Sequence, residues 1–229
     1  MPCRLRKAPQ WGLFWLLLAA GPLPALEAPP GAAVASAHPL ATQAGWEILT
    51  AGGNAFDAAV AVSAALAVVE PYGSGLGGGG FWLLHRASDE RQVMIDGRER
   101  APLAAKRDLF LDPSGDLVPG LSIDGPLAAG IPGQPAALAH LTQHYGRLSL
   151  ADSLAPAIRL ARDGFPVDAH YRRMAGWRLA ALQNSPAAAA QFLHENQVPP
   201  EGHLLRQPDL AATLEVLAER GHDGFYAGP

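Results

Sequence analysis

Cysteine is all but missing: one residue, Cys3, stands in a chain of 229. A single thiol excludes a disulfide-built module. Its position ahead of the first apolar run also sets it apart from a lipoprotein cysteine, which would follow that run. Charge is scarce as well. Charged residues make up 17% of the chain, with 17 basic against 21 acidic side chains and a net charge of −4. That balance offers no basic stripe for phosphates, so neither nucleic acid nor an anionic membrane is indicated as a partner. A membrane-spanning run is lacking too. Trp11–Ala20 is apolar, but Gly21 and Pro22 stop it well short of the ~20 residues that a spanning helix requires.

That short run has its own meaning. Arg4, Arg6 and Lys7 precede it and "GPLPALEAPPGAA" follows, which is the order of a cleavable export signal. Residues 1–28 are expected to be a signal peptide cut somewhere between Ala20 and Ala28. The product is then periplasmic or secreted, without stable membrane insertion and without a thiol nucleophile.

Apolar and turn-forming residues are what the chain has in quantity. Hydrophobic residues reach 49%, with 25 glycines and 21 prolines, enough for one domain with a real core and many tight turns. "AAVAS" (Ala32–Ser36) is a short strand candidate. "HPLATQAGWEILTAGG" places Leu40, Ala44, Ile48 and Ala51 at helical spacing and stops at Gly52-Gly53. Asn54 then caps a second helix, with Asp57 three residues on, running to Pro71. This helix is small and apolar on nearly every face, which predicts burial. "GLGGGG" leads into an apolar strand, and residues 81–98 read as an antiparallel hairpin around the polar "RASDERQ". Residues 103–133 are irregular, punctuated by "DPSGD" and "IPGQP". Helices follow at about 136–145, 150–163, 169–182 and 208–220. The chain stops at "GFYAGP" with no closing element, so it is expected to be part of a longer protein.

The glycine run excludes one obvious reading. Glycines that cradle a phosphate follow a strand and open a helix, whereas these follow a helix and open a strand. Close backbone packing at the start of a core strand suits them better. His140 and His144 have a metal-ligand spacing, but no glutamate lies between them and no third ligand stands out. A polar helix face accounts for them. His38, before Pro39, suits a local structural contact.

Three segments carry a resemblance: "GGNAFDAAVAV" (Gly52–Val62), "SGLGGGGF" (Ser74–Phe81) and "IDGRERAP" (Ile95–Pro102). "IPGQPAALAHLTQHYGRLSLADSLAPAIRLARDGFPV" and the closing "FYAGP" continue it in order. Together they resemble the γ-glutamyltranspeptidase family over residues 32–229. The resemblance implies an α/β layered fold, an αββα sandwich of the N-terminal-nucleophile hydrolase type. That sandwich is incomplete in this chain, with a helix-rich C-terminal half. It implies a precursor that cuts itself, whose small subunit begins with the threonine that takes γ-glutamyl groups from glutathione and similar donors. Water, amino acids or dipeptides would be the acceptors, and no metal or organic cofactor is implied. Residues 29–229 would be the N-terminal portion of the large subunit.

In that family the arginine of D-x-R-E binds the α-carboxylate of the γ-glutamyl group, and the matching residue here is Arg98. A guanidinium suits the task, being a planar fork of donors that never loses its charge. Without the resemblance, Arg98 reads as a surface residue paired with Asp96 or Glu99. Nothing in the family pattern selects Arg100. The nucleophile has no counterpart. Thr42, Thr50, Thr142 and Thr213 are the threonines, and none sits in a setting like the family's processing site. The chain is therefore expected to be inactive alone. Two alternatives stay open: a related cephalosporin-type acylase, and a non-catalytic exported relative.

Overall fold

The computed structural model describes residues 31–228, so the expected signal peptide lies outside the described residues. Everything below concerns the unit that begins at Ala33. The strand expected at Ala32–Ser36 is not formed: among the described residues the backbone there finds no partner strand. Ser36 instead bonds forward, to the His38 carbonyl and the Thr42 hydroxyl, and so folds the segment into the next helix. Helix α1 spans Pro39–Thr50, and the His38 Nδ1 accepts from the Leu40 N–H at 3.1 Å as its cap. That is the local contact expected of His38.

Helix α2, Ala55–Val69, opens with a reciprocal cap. The Asn54 side chain accepts from the Phe56 and Asp57 N–H groups, and the Asp57 carboxylate accepts from the Asn54 N–H at 2.8 Å. Asp57 is fully buried and also receives the Arg147 N–H, tying the cap to a loop 90 residues away. Its small apolar side chains (Val60, Ala61, Ala64, Ala65 and Val68) are all sealed from solvent, as the all-round apolar pattern predicts.

Strands β1 (Gly80–Arg86) and β2 (Arg91–Gly97) form the expected antiparallel hairpin, with Gly80 opposite Gly97 and Arg86 opposite Arg91. Trp82, Leu84, Val93 and Ile95 face the helices, and the Trp82 indole donates to the Ser63 hydroxyl on α2. The irregular stretch after β2 holds only one short 3-10 turn, Pro126–Ala128. Then come α3 (Gln134–Tyr145) and α4 (Leu150–Asp163), the latter capped by Ser149 with Asp152.

The single helix expected over 169–182 is two: α5 (Ala169–Trp177) and α6 (Leu179–Gln183). They meet at Arg178, whose ψ of 9° leaves the helical region and whose guanidinium pairs with Asp124. Helix α7 (Pro186–Phe192), α8 (Pro208–Arg220) and the short α9 (His222–Tyr226) complete the set. Two-residue strands β3 (Phe165–Pro166) and β4 (Leu204–Leu205) pair between them. The core is a helical layer, in which Leu138, Leu141, Leu154, Leu214 and Leu217 are fully buried around α2. The hairpin lies on that layer.

Candidate functional site

Arg98 leaves the end of β2, and three glycines hold its backbone. A Cβ at Gly79 would overlap the Gly97 carbonyl and stand 3.0 Å from the Arg98 Cα. A Cβ at Gly133 would overlap the same carbonyl and lie 2.6 Å from that of Arg98. One at Gly97 itself would meet Trp82 at 2.6 Å and the Ala137 Cβ at 2.7 Å. Real side chains do not tolerate such separations, so glycine is required at all three positions. Gly79, within "GLGGGG", is thus a packing residue at the start of β1, as the strand-opening position of the run predicts.

Backbone hydrogen bonds complete the cradle. Gly78 O accepts from the N–H groups of Gly133 and Gln134 at 3.0 and 3.1 Å. Arg100 and Ile131 exchange both their N–H and C=O groups at 3.1 and 2.8 Å. The chain before Arg98 and the segment before α3 are therefore bound to a common frame. At the far side, the Tyr226 hydroxyl donates to Pro132 O at 2.7 Å and accepts from the Ala136 N–H at 3.3 Å. Burial pushes the Tyr226 phenol above its ordinary pKa, and the Ala136 N–H opposes the shift.

The Arg98 side chain itself is open. It is 69% exposed and touches Glu99 through Nε alone, at 3.2 Å, while its backbone N–H bonds the Asp96 carboxylate. Both surface partners anticipated from the sequence are thus engaged, but weakly. Exposed ion pairs are worth at most about 1 kcal/mol. Among the described residues the terminal guanidinium nitrogens make no hydrogen bond. Arg98 and Arg100 line a cavity of about 760 Å³ between the end of β2 and α3, whose far wall includes His140, His222 and Tyr226. The site can receive an anion: a fixed backbone presents a two-pronged donor to an open space that Arg100 also lines, with Asp96 the one carboxylate on its wall among the described residues.

The remaining candidates fall into place. The His140 and His144 rings stack at 4.1 Å, and His144 Nδ1 sits 3.0 Å from the His140 carbonyl. Partial burial, then the neighbouring His144, lowers the His140 pKa, which favours a neutral ring. No group of three metal-ligating side chains occurs among the described residues. All four threonines lie inside helices. Thr50 and Thr213 bond back to carbonyls one turn earlier, at Trp46 and Asp209. None of them has a free α-amine. Sequence reasoning missed Gly133 and Tyr226: "IPGQP" carried a turn signal and a family likeness, and "FYAGP" a family likeness, neither with a role.

The family model for gamma-glutamyltranspeptidase matches residues 41–229. This chain belongs to that family. The Escherichia coli glutathione hydrolase proenzyme is 43% identical over 85% of this chain and 34% of its own length. The Helicobacter pylori gamma-glutamyltranspeptidase structure has a TM-score of 0.82 at 39% identity, covering 85% of this chain and 56% of that one. A cephalosporin acylase from Bacillus halodurans scores 0.74 at 32% identity, over 90% of this chain and 40% of that one. The chain therefore spans about a third of the curated relatives it matches. Its fold is the α/β layered one of N-terminal-nucleophile hydrolases, and the described residues supply a helical layer and one hairpin.

Proposed function

We propose that this chain supplies the donor-binding arginine of an exported enzyme that transfers or hydrolyses γ-glutamyl groups of glutathione and related amides. The observation that carries the reading is Arg98: a glycine-held backbone with an open guanidinium facing a cavity, in the family's D-x-R-E position. In a γ-glutamyl donor the α-carboxylate lies three carbons from the amide carbonyl. Clamping it with two parallel N–H···O bonds fixes the donor while leaving the amide for a nucleophile.

The nucleophile would be the N-terminal threonine of a small subunit cut from the same precursor. Its α-amine takes the hydroxyl proton as the oxygen attacks the γ-carbonyl. The tetrahedral intermediate collapses, the proton passes to the departing amine, and cysteinylglycine leaves a γ-glutamyl ester. Water, an amino acid or a dipeptide then attacks the ester and releases glutamate or a new γ-glutamyl amide. Residues 29–229 act here as the N-terminal portion of the large subunit, and residues 1–28 direct export.

Arg98→Ala in the complete enzyme removes one side of a charge-assisted pair. The expected loss is ~2–5 kcal/mol, or roughly 30-fold to several-thousand-fold in kcat/KM on a γ-glutamyl anilide. Arg98→Lys keeps the charge, loses the fork and recovers only part of the rate. Autoprocessing on a gel stays normal, because it does not use the donor site. Normal processing with near-wild-type efficiency in Arg98→Ala would sink the reading. The likeness to a cephalosporin acylase supports a second reading, in which the donor is a glutaryl amide; a glutaryl anilide cleaved faster than the γ-glutamyl one favours it.

A further inference from the structure

The wall behind Arg98 has an unusual anchor. Helix α3 begins at Gly133, which has no side chain to cap it. Two of its early N–H groups go to Gly78 O, and the one at Ala136 goes to the Tyr226 hydroxyl. The same hydroxyl gives its proton to Pro132 O. One oxygen atom, reached from more than 90 residues along the chain, thus bridges the residue before Gly133 and the first turn after it. Gly133 in turn abuts the Gly97 and Arg98 carbonyls, and Ile131 is locked to Arg100.

Tyr226 is itself held firmly. Its ring stacks on His222 at 4.5 Å and meets Phe225 edge-on at 5.0 Å. Helix α9, which carries it, sits so close to α8 that a Cβ at Gly224 would overlap the Val216 carbonyl. The phenol, protonated at neutral pH as any tyrosine is, can donate to Pro132, and burial shifts its pKa further upward.

We infer that Tyr226 is a positioning residue for donor recognition: its hydroxyl sets the Pro132–Gly133 segment against the Arg98 backbone and so aims the guanidinium at the α-carboxylate. This rests on the carboxylate-binding reading of Arg98. It assigns Tyr226 no contact with the donor and no part in bond breaking.

The test is a ratio measured in the complete enzyme: kcat/KM on a γ-glutamyl anilide over kcat/KM on the 4-aminobutyryl anilide, which lacks only the α-carboxylate. Tyr226→Phe removes one oxygen and keeps the ring. Losing hydrogen bonds of this kind should lower the ratio roughly threefold to tenfold, with the 4-aminobutyryl rate unchanged. Arg98→Ala should collapse the ratio towards one. A normal ratio in Tyr226→Phe beside a collapsed one in Arg98→Ala overturns the inference and leaves the Arg98 reading standing. An unchanged ratio in Arg98→Ala overturns both. Equal slowing on both donors, or a Tyr226→Phe protein that does not fold and process, makes the hydroxyl a scaffold group and also overturns the inference.

Discussion

Helix α2 and the β1–β2 hairpin are both built from apolar sequence, yet they meet solvent very differently. Along α2, Val60, Ala61, Ala64, Ala65 and Val68 are completely covered, by α1 on one side and α4 on the other. On the hairpin only one face is covered. Phe81, Leu83 and Met94, which alternate with the buried set, stand 56%, 76% and 63% exposed. The all-round apolar pattern of α2 predicts burial, and its neighbours within the chain supply it. The difference separates a helical layer that is finished within these residues from a sheet with one face bare. A sheet apolar on both faces is built to be covered on both.

The largest effect tests the finished layer. Leu214→Ala empties a site closed on all sides, and should cost about 2–5 kcal/mol in urea unfolding of this chain. A loss below about 1 kcal/mol would mean that α8 is not part of the same core. Asp57→Ala comes next. It strips acceptors from the Asn54 and Arg147 N–H groups at the mouth of α2, for a cost of about 1–3 kcal/mol by thermal melting. Equal stability in Asp57→Ala would show that water replaces the carboxylate and that the cap is not integral to the layer.

The bare face should respond in the opposite way. Leu83→Ser with Met94→Ser is expected to change the stability of this chain by no more than about 0.5 kcal/mol per site, and to reduce binding of a hydrophobic dye. A loss as large as that of Leu214→Ala would erase the contrast between the two regions. The smallest effect lies at the tip of the hairpin. The hydrogen bond from Arg86 holds the Asp89 carboxyl down, from the ordinary 3.8 to about 2, against opposing desolvation. Because the folded pKa is depressed, this pair contributes fully above pH 3.8 and is lost as the pH falls through about 2. Both groups are exposed, so the turn should loosen without unfolding the chain. An Asp89 midpoint near 3.8 by NMR titration would remove the pair from the account.

Much of this was written in local pattern. The Asn54–Asp57 spacing announced a capping box, the two apolar runs around the polar "RASDERQ" in 81–98 announced a hairpin, and the ordered motifs around Asp96 and Arg98 announced the family and its candidate arginine. "SPAAAA", with a serine cap and proline at the first helical position, also carried a legible signal for α7, which sequence reasoning passed over. These features depend on neighbours within a few residues, so a single chain reveals them. Other features depend on residues far apart and left no periodic trace. Only the tertiary structure decided that Ala32–Ser36 finds no partner strand among the described residues, or that Arg178 breaks a helix while its guanidinium reaches Asp124. It alone brought Gly79, Gly97 and Gly133 against one stretch of backbone. It also carried the Tyr226 hydroxyl to Pro132 and Ala136, where a single oxygen satisfies groups that the start of α3 cannot satisfy for itself. The physical reason is one of range: caps, turns and alternation are settled by local hydrogen bonds and side-chain period. Close backbone approach and buried polar satisfaction are settled only when distant segments are packed together.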